Sequence, residues 1–488
     1  MKTAYLKFCP DKTLSHISKE IYGHFSEHLG RCIYNGIYVG KDSKIPNTGG
    51  IRNDVVSSLK EIGLPVLRWP GGCFADEYHW KNGVGDKRTP MLNSNWGGIV
   101  EDNSFGTHEF FSLCEMLDCE AYLAANMGSG SVSELSRWLE YITYDGDSPS
   151  ALERKSNGRE KPWRLKYLGI GNESWGCGGS MSAQSYCDTY RHYQTFAKNY
   201  STPDMMKIAC GPNADDYSWT ETLMQNLKPW HTDAISLHYY TIPTGDWQHK
   251  GSATSFSDEE YYDTIRSTLY MDEIITKHSA IMDKYDPESK IKLAVDEWGC
   301  WYDVEEGTNP GFLYQQNTMR DAIVAAINLN IFNNHSSRVS MANLAQVMNV
   351  LQAVLLSEGE KLVKTPTWYV FKLFLTHHDS ELVKTSLAAP EIGDNLPMLS
   401  LSLSKKGESF LLSVSNCSLD EDCSLLLDPE HGCIKNAQAQ ILTADKDVYN
   451  DFDSPERVSI SDYDGFSSDS AFTLTVPKRS VVSLSFEV

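Results

Sequence analysis

In Lys166-Tyr167-Leu168-Gly169-Ile170-Gly171-Asn172-Glu173-Ser174-Trp175-Gly176, a short apolar run passes between glycines straight into an Asn-Glu pair and an aromatic residue. Tyr167, Leu168 and Ile170 have the composition of a buried strand. A carboxylate at the end of such a strand has no place in an apolar core. It does have one at the mouth of a parallel α/β barrel, where side chains at the C-terminal strand ends project into a shared pocket. Glu173 is therefore the first candidate for chemistry, with Asn172 beside it.

On both sides of this stretch, from about residue 21 to residue 374, short apolar runs alternate with longer helical patterns. That alternation is the signature of repeated βα units. Eight strands are predicted, at residues 21–25, 65–68, 121–125, 167–171, 206–210, 234–238, 291–295 and 338–342. Amphipathic stretches at 53–62, 110–117, 180–200, 265–285 and 315–330 read as intervening helices. The predicted fold is a (β/α)8 TIM barrel over residues 18–375, followed by a C-terminal all-β, jelly-roll-like sandwich over 376–488. In the latter, runs such as Leu399-Ser400-Leu401-Ser402-Leu403 alternate between turns. Residues 1–17 alternate in the same way and are expected to add a strand to that sandwich.

The second carboxylate stands in Lys292-Leu293-Ala294-Val295-Asp296-Glu297-Trp298, where the seventh strand also ends in an acid followed by an aromatic. The ends of strands four and seven face one another across a barrel mouth. Two carboxylates flanking one pocket are what glycoside hydrolysis requires, one to protonate the leaving oxygen and one to attack or to activate water. Strand alternation sends Asp296 to the opposite face, which leaves Glu297 as the nucleophile.

Bulk properties narrow the partners. Of 488 residues, 65 are acidic and 43 basic, net −22, a balance that repels nucleic acid and anionic membrane. No run approaches the 18 apolar residues of a membrane span, and the first residues lack a signal-length apolar run, so a cytoplasmic protein is expected. None of the 12 cysteines forms a Cys-x-x-Cys pair, and most are read as reduced thiols. Neither metal nor organic cofactor is implied, since His-Glu-x-x-His and Gly-x-Gly-x-x-Gly are absent, and the absence of Gly-x-Ser-x-Gly disfavours a Ser-His-Asp hydrolase.

The segments Phe25-Ser26-Glu27-His28-Leu29-Gly30, Arg68-Trp69-Pro70-Gly71-Gly72-Cys73-Phe74, Gly171-Asn172-Glu173-Ser174-Trp175-Gly176 and Asp296-Glu297-Trp298, in this order, resemble the α-L-arabinofuranosidases of glycoside hydrolase family 51, of the bacterial intracellular type. Trp96-Gly97-Gly98, Ser236-Leu237-His238-Tyr239-Tyr240 and Asn343-Leu344-Ala345-Gln346 extend the resemblance through nearly the whole chain. It implies a retaining double displacement that releases terminal arabinofuranose from arabinan, arabinoxylan or their oligosaccharides, and a homohexamer. Glu173 is then the acid/base and Glu297 the nucleophile. Asn172 binds the sugar's 2-hydroxyl, Glu27 grips furanose hydroxyls, and Arg68 lies behind the nucleophile. Tyr240 and Gln346 match further subsite positions, His238 orients the nucleophile, and Trp96, Trp298 and Trp301 are pocket walls. Some family members have Asn where this chain has Cys73, which is read as a pocket residue with a weakly bonding thiol. Cys177 and Cys300 follow the two glutamates closely and are expected near the mouth. The alternatives are another retaining barrel specificity, endo-glucanase or xylosidase, and a sugar-binding protein without catalysis.

Overall fold

The computed structural model describes residues 1–201, 204–393, 395–468 and 471–488. Eight parallel strands, Gly23–Phe25, Val66–Trp69, Glu120–Ala125, Tyr167–Ile170, Met206–Ala209, Ala234–Thr241, Lys292–Cys300 and Val339–Ala345, follow one another around a closed barrel. The eighth pairs with the first, Asn343 opposite Gly23. Every strand expected from the sequence is present. The sixth and seventh run longer than expected because they stay paired as far as Thr241 and Cys300.

Val66, Tyr122, Tyr167, Ile208, Ala294 and Met341 belong to one buried cluster contributed by the barrel strands. Burial of the Val66, Ile208 and Met341 side chains stabilises the fold by about 1.5–3 kcal/mol each. Tyr122 also reaches toward the site. A Cβ at Gly169 would lie 2.8 Å from its hydroxyl, and the bare glycine leaves room for that hydroxyl to donate to Asp296 Oδ2 at 2.7 Å.

Helix starts are set by caps rather than by apolar periodicity, which explains the misplaced boundaries. The helix expected from residue 265 begins at Asp258, because Ser257 and Glu260 form a capping box and Asp258, Glu259 and Glu260 suit the positive end of the helix. Ser182 likewise starts Ala183–Phe196, where 180–200 was expected.

Beyond the barrel lies a ten-stranded sheet. The N-terminal strand Lys2–Ile17 is inside it, antiparallel to Ser380–Ala388 and parallel to Cys423–Pro429. In a flat sheet, strands three places apart would be separated by roughly 14 Å. Phe8 nevertheless meets Phe410 at 6.0 Å and Phe486 at 5.9 Å between ring centres, on strands three and four places away. The sheet therefore folds over on itself and encloses Ala4, Leu6, Phe8, Leu412, Leu425 and Leu484, the interior of a sandwich.

Candidate active site

The seventh strand carries an irregularity at the critical residues. Against the sixth strand, Ser236 pairs with Ala294 but His238 with Glu297; against the eighth, Val295 pairs with Ala342 but Trp298 with Leu344. Both neighbours thus see one extra residue in this strand, a β-bulge. The bulge breaks alternation, and Asp296 and Glu297 both point into the barrel. The sequence expectation that Asp296 lies on the opposite face is corrected.

Two cations hold these acids together. Arg68 donates from Nη1 to Glu297 Oε1 at 2.7 Å and from Nη2 to Asn172 Oδ1 at 2.7 Å, with Nε 3.6 Å from Asp296 Oδ2. Its guanidinium also lies 4.5 Å from the centre of the Phe25 ring. His238 places Nδ1 2.9 Å from Glu173 Oε1 and 3.4 Å from Glu297 Oε2, and Nε2 3.2 Å from Asp296 Oδ1. Burial pushes the imidazole pKa down, but the Glu297 charge and the contacts with Asp296 and Glu173 prevail and lift it to about 10. Burial works against ionised Asp296 too, yet Arg68 and His238 hold its carboxyl below the usual range.

His238 is thus a cation at neutral pH, and its raised pKa makes it a stabilising group below the unfolded value of 6.5. That stability is lost as pH rises through about 10. His238→Asn, which leaves buried carboxylates short of a counter-charge, is expected to lose about 3 kcal/mol or more. Thermal melts across pH should show the gap to the parent protein widest below pH 6.5 and closing toward pH 10; a gap that does not change with pH would contradict the cationic assignment.

Between the two glutamates opens a pocket lined by Glu27, Leu29, Gly72, Cys73, Trp96, Tyr240, Trp301, Leu313, Gln346 and Leu351. Glu27 Oε1 accepts from the Phe74 amide and from Trp96 Nε1, each at 2.9 Å, and Oε2 accepts from Gln346 Nε2 at 3.2 Å. Burial outweighs these bonds and raises its pKa to about 7. Gly72 is required here, because a Cβ would stand 2.8 Å from Glu27 Oε2. Tyr240 donates to Glu297 Oε2 at 2.8 Å. An oxygen of Glu173 and one of Glu297 lie within 4.8 Å of each other. Glu173 itself has φ 41°, in the left-handed region, where a side chain costs about 1–3 kcal/mol and such strain concentrates at functional sites.

Residues 58–266 match the family model described as "Alpha-L-arabinofuranosidase 1 domain" and residues 296–480 the one described as "Alpha-L-arabinofuranosidase C-terminal domain". The chain is 48% identical over 495 residues to an "Intracellular exo-alpha-L-arabinofuranosidase" of Bacteroides ovatus, covering 100% of this chain and 96% of that protein. The chain belongs to the α-L-arabinofuranosidases of glycoside hydrolase family 51. Among solved structures it is similar to the family 51 arabinofuranosidase of Xanthomonas axonopodis pv. citri, with 43% identity and a TM-score of 0.97 over 100% of both chains. It is also similar to the α-L-arabinofuranosidase of Thermotoga maritima in an arabinose complex, with 30% identity and a TM-score of 0.88, again over 100% of both.

In this arabinofuranosidase-family chain, Glu27, Arg68, Cys73, Trp96, Asn172, Glu173, His238, Tyr240, Glu297, Trp301 and Gln346 meet at or immediately behind the pocket. Trp298 does not. Following Glu297 on the strand, it turns outward and packs, 0% exposed, against Phe332 and Phe371 at 5.3 and 6.3 Å, so its reading as a pocket wall is corrected. Cys300 is also away from the mouth, buried with Ala253, Tyr302 and Val324. Cys73 is not a thiol: it is disulfide-bonded to Cys177, joining the loops after the second and fourth strands.

Three participants were missed from sequence. Tyr122 braces Asp296 from below. Asp76 Oδ1 accepts the amides of Met127 and Gly128 at 2.9 and 2.8 Å, tying the loop after the second strand to that after the third. Trp247, 54% exposed, meets Trp301 edge-on at 5.3 Å and extends the aromatic wall outward. Only Trp247 left a signal, as a large apolar residue in a polar loop.

Proposed function

We propose that this chain is a retaining, exo-acting α-L-arabinofuranosidase that removes terminal arabinofuranosyl residues from arabinan, arabinoxylan or oligosaccharides derived from them. The observation that carries the mechanism is the approach of Glu173 and Glu297 to within 4.8 Å. Retaining glycosidases keep their carboxyl groups about 5–5.5 Å apart, whereas inverting enzymes leave about 6.5–9.5 Å for a water.

Glu297, held by Arg68 and Tyr240, attacks the anomeric carbon. Glu173 protonates the departing oxygen from Oε2, since Oε1 is occupied by His238. A covalent arabinosyl-Glu297 results. Water, deprotonated by Glu173, then attacks the same carbon and frees Glu297 with overall retention. Asn172 accepts from Arg68 at Oδ1, and its Nδ2, 3.9 Å from Cys177 Sγ, donates to the 2-hydroxyl. Glu27, fixed by Gln346 and Trp96, receives other hydroxyls, and Trp301 walls the leaving-group side.

The place of action is proposed to be the cytoplasm, supported by the word intracellular in the name of the Bacteroides ovatus relative. No helix among the described residues is long and apolar enough to cross a membrane. Assembly as a homohexamer is proposed from the family resemblance and is read directly by light scattering. The test of function is hydrolysis of a matched panel of aryl α-L-arabinofuranoside, aryl β-D-xyloside and β-D-glucan. Strong preference for the arabinofuranoside is expected; activity on xyloside or glucan alone would overturn the substrate assignment.

A further inference from the structure

Cys73 and Cys177, Cα atoms 5.7 Å apart, converge on one atom of the site. Cys73 Sγ is 3.8 Å and Cys177 Sγ 3.5 Å from Glu173 Oε2, while Oε1 is turned away to His238. The three potential donor atoms lie within 4.8 Å of one another. In a tetrahedral zinc site with Zn–S of about 2.3 Å and Zn–O of about 2.1 Å, the sulfur–oxygen edge is about 3.6 Å and the sulfur–sulfur edge about 3.8 Å. Both sulfur–oxygen edges are therefore already near their zinc-bound lengths. Only the sulfur pair has to open, and reduction opens it.

We propose that, once reduced, Cys73 and Cys177 form with Glu173 an inhibitory site for a borderline-soft divalent cation such as Zn2+. The inhibition rests on the reading of Glu173 as acid/base; the binding does not. A dithiol reductant supplies two electrons and two protons, turning the protein disulfide into two thiols while it becomes a disulfide itself. Metal binding releases those two thiol protons, together with the catalytic proton from Glu173 Oε2, to solvent and leaves two thiolates and one carboxylate oxygen on the ion, with water as the fourth ligand. Cys177 is exposed, so reductant and metal have access. The cation takes Oε2, the oxygen that would otherwise carry the catalytic proton. His238 is turned away from that oxygen, its Nδ1 against Glu173 Oε1 and Glu297 Oε2 and its Nε2 against Asp296 Oδ1.

The experiment uses the full chain, oxidised or reduced with a phosphine, which ends as its oxide with oxygen from water. Co2+ serves as the spectroscopic probe and Zn2+ as the inhibitor. Reduced protein is expected to show thiolate-to-cobalt charge-transfer absorption saturating at one Co2+ per chain. It is also expected to lose turnover with Zn2+ and regain it with a chelator; oxidised protein should do neither. Cys177→Ser and the Cys73→Ser/Cys177→Ser double variant, each compared with itself with and without Zn2+, should weaken metal affinity at least about tenfold. Absorption that persists in the double variant, or equal inhibition of oxidised and reduced protein, overturns the site. Absorption without inhibition upholds the site and overturns the role given to Glu173; normal catalysis with no absorption overturns the site and leaves that role standing.

Discussion

Glu297→Ala protein is expected to fold, bind substrate and turn over nothing, with kcat reduced by on the order of 10^6 for every leaving group. The lost group is the one that forms the covalent bond, so no change in aglycone can compensate. The loss should not come from unfolding. Among the described residues, Glu173, Asp296 and Glu297 are faced by Arg68 and His238. Without Glu297, His238 retains Glu173 and Asp296 as partners, and Arg68 retains Asn172 and Asp296. The melting temperature should stay close to that of the parent, measured on the same sample as the rate. Residual turnover above roughly 1% of the parent would place the nucleophile elsewhere, given how much such groups contribute.

Glu173→Ala is expected to divide substrates by leaving group. Oligosaccharides, whose departing alkoxide needs a proton, should lose on the order of 10^2–10^4 in kcat/KM, whereas a dinitrophenyl arabinofuranoside should lose little. The second step has also lost its base, so the aryl substrate should give a burst and then slow turnover as arabinosyl-Glu297 accumulates. Azide, which needs no base, should restore the steady rate and yield the azide with retained configuration. Equal losses on both kinds of substrate would remove Glu173 from the acid/base role.

The parts of the fold and site that were legible in sequence are those written in local pattern. An apolar run ending in a carboxylate marked Glu173 and Glu297, and the recurrence of such runs gave the barrel. Asp296 was misread because alternation is a local rule and the bulge that overrides it is imposed by the sixth and eighth strands together. Trp298 was misread for the opposite reason: alternation does hold between it and Glu297, and adjacency in sequence meant opposite faces. The Cys73–Cys177 bond spans 104 residues and exists only because barrel closure brings two loops over one pocket. No spacing rule reveals such a pairing.

The N-terminal strand has a consequence for how the molecule is made. Lys2–Ile17 is synthesised long before its neighbours in the sheet: His16 bonds Glu381 across 365 residues. At about 5–20 residues per second, that strand waits roughly 20–70 s on the ribosome before Glu381 emerges. During the wait Ala4, Leu6 and Phe8 form an unmatched apolar edge. The N-terminal strand and the distant strands that receive it thus mature as one unit, and cutting the chain between the barrel and the sandwich would leave this strand bare.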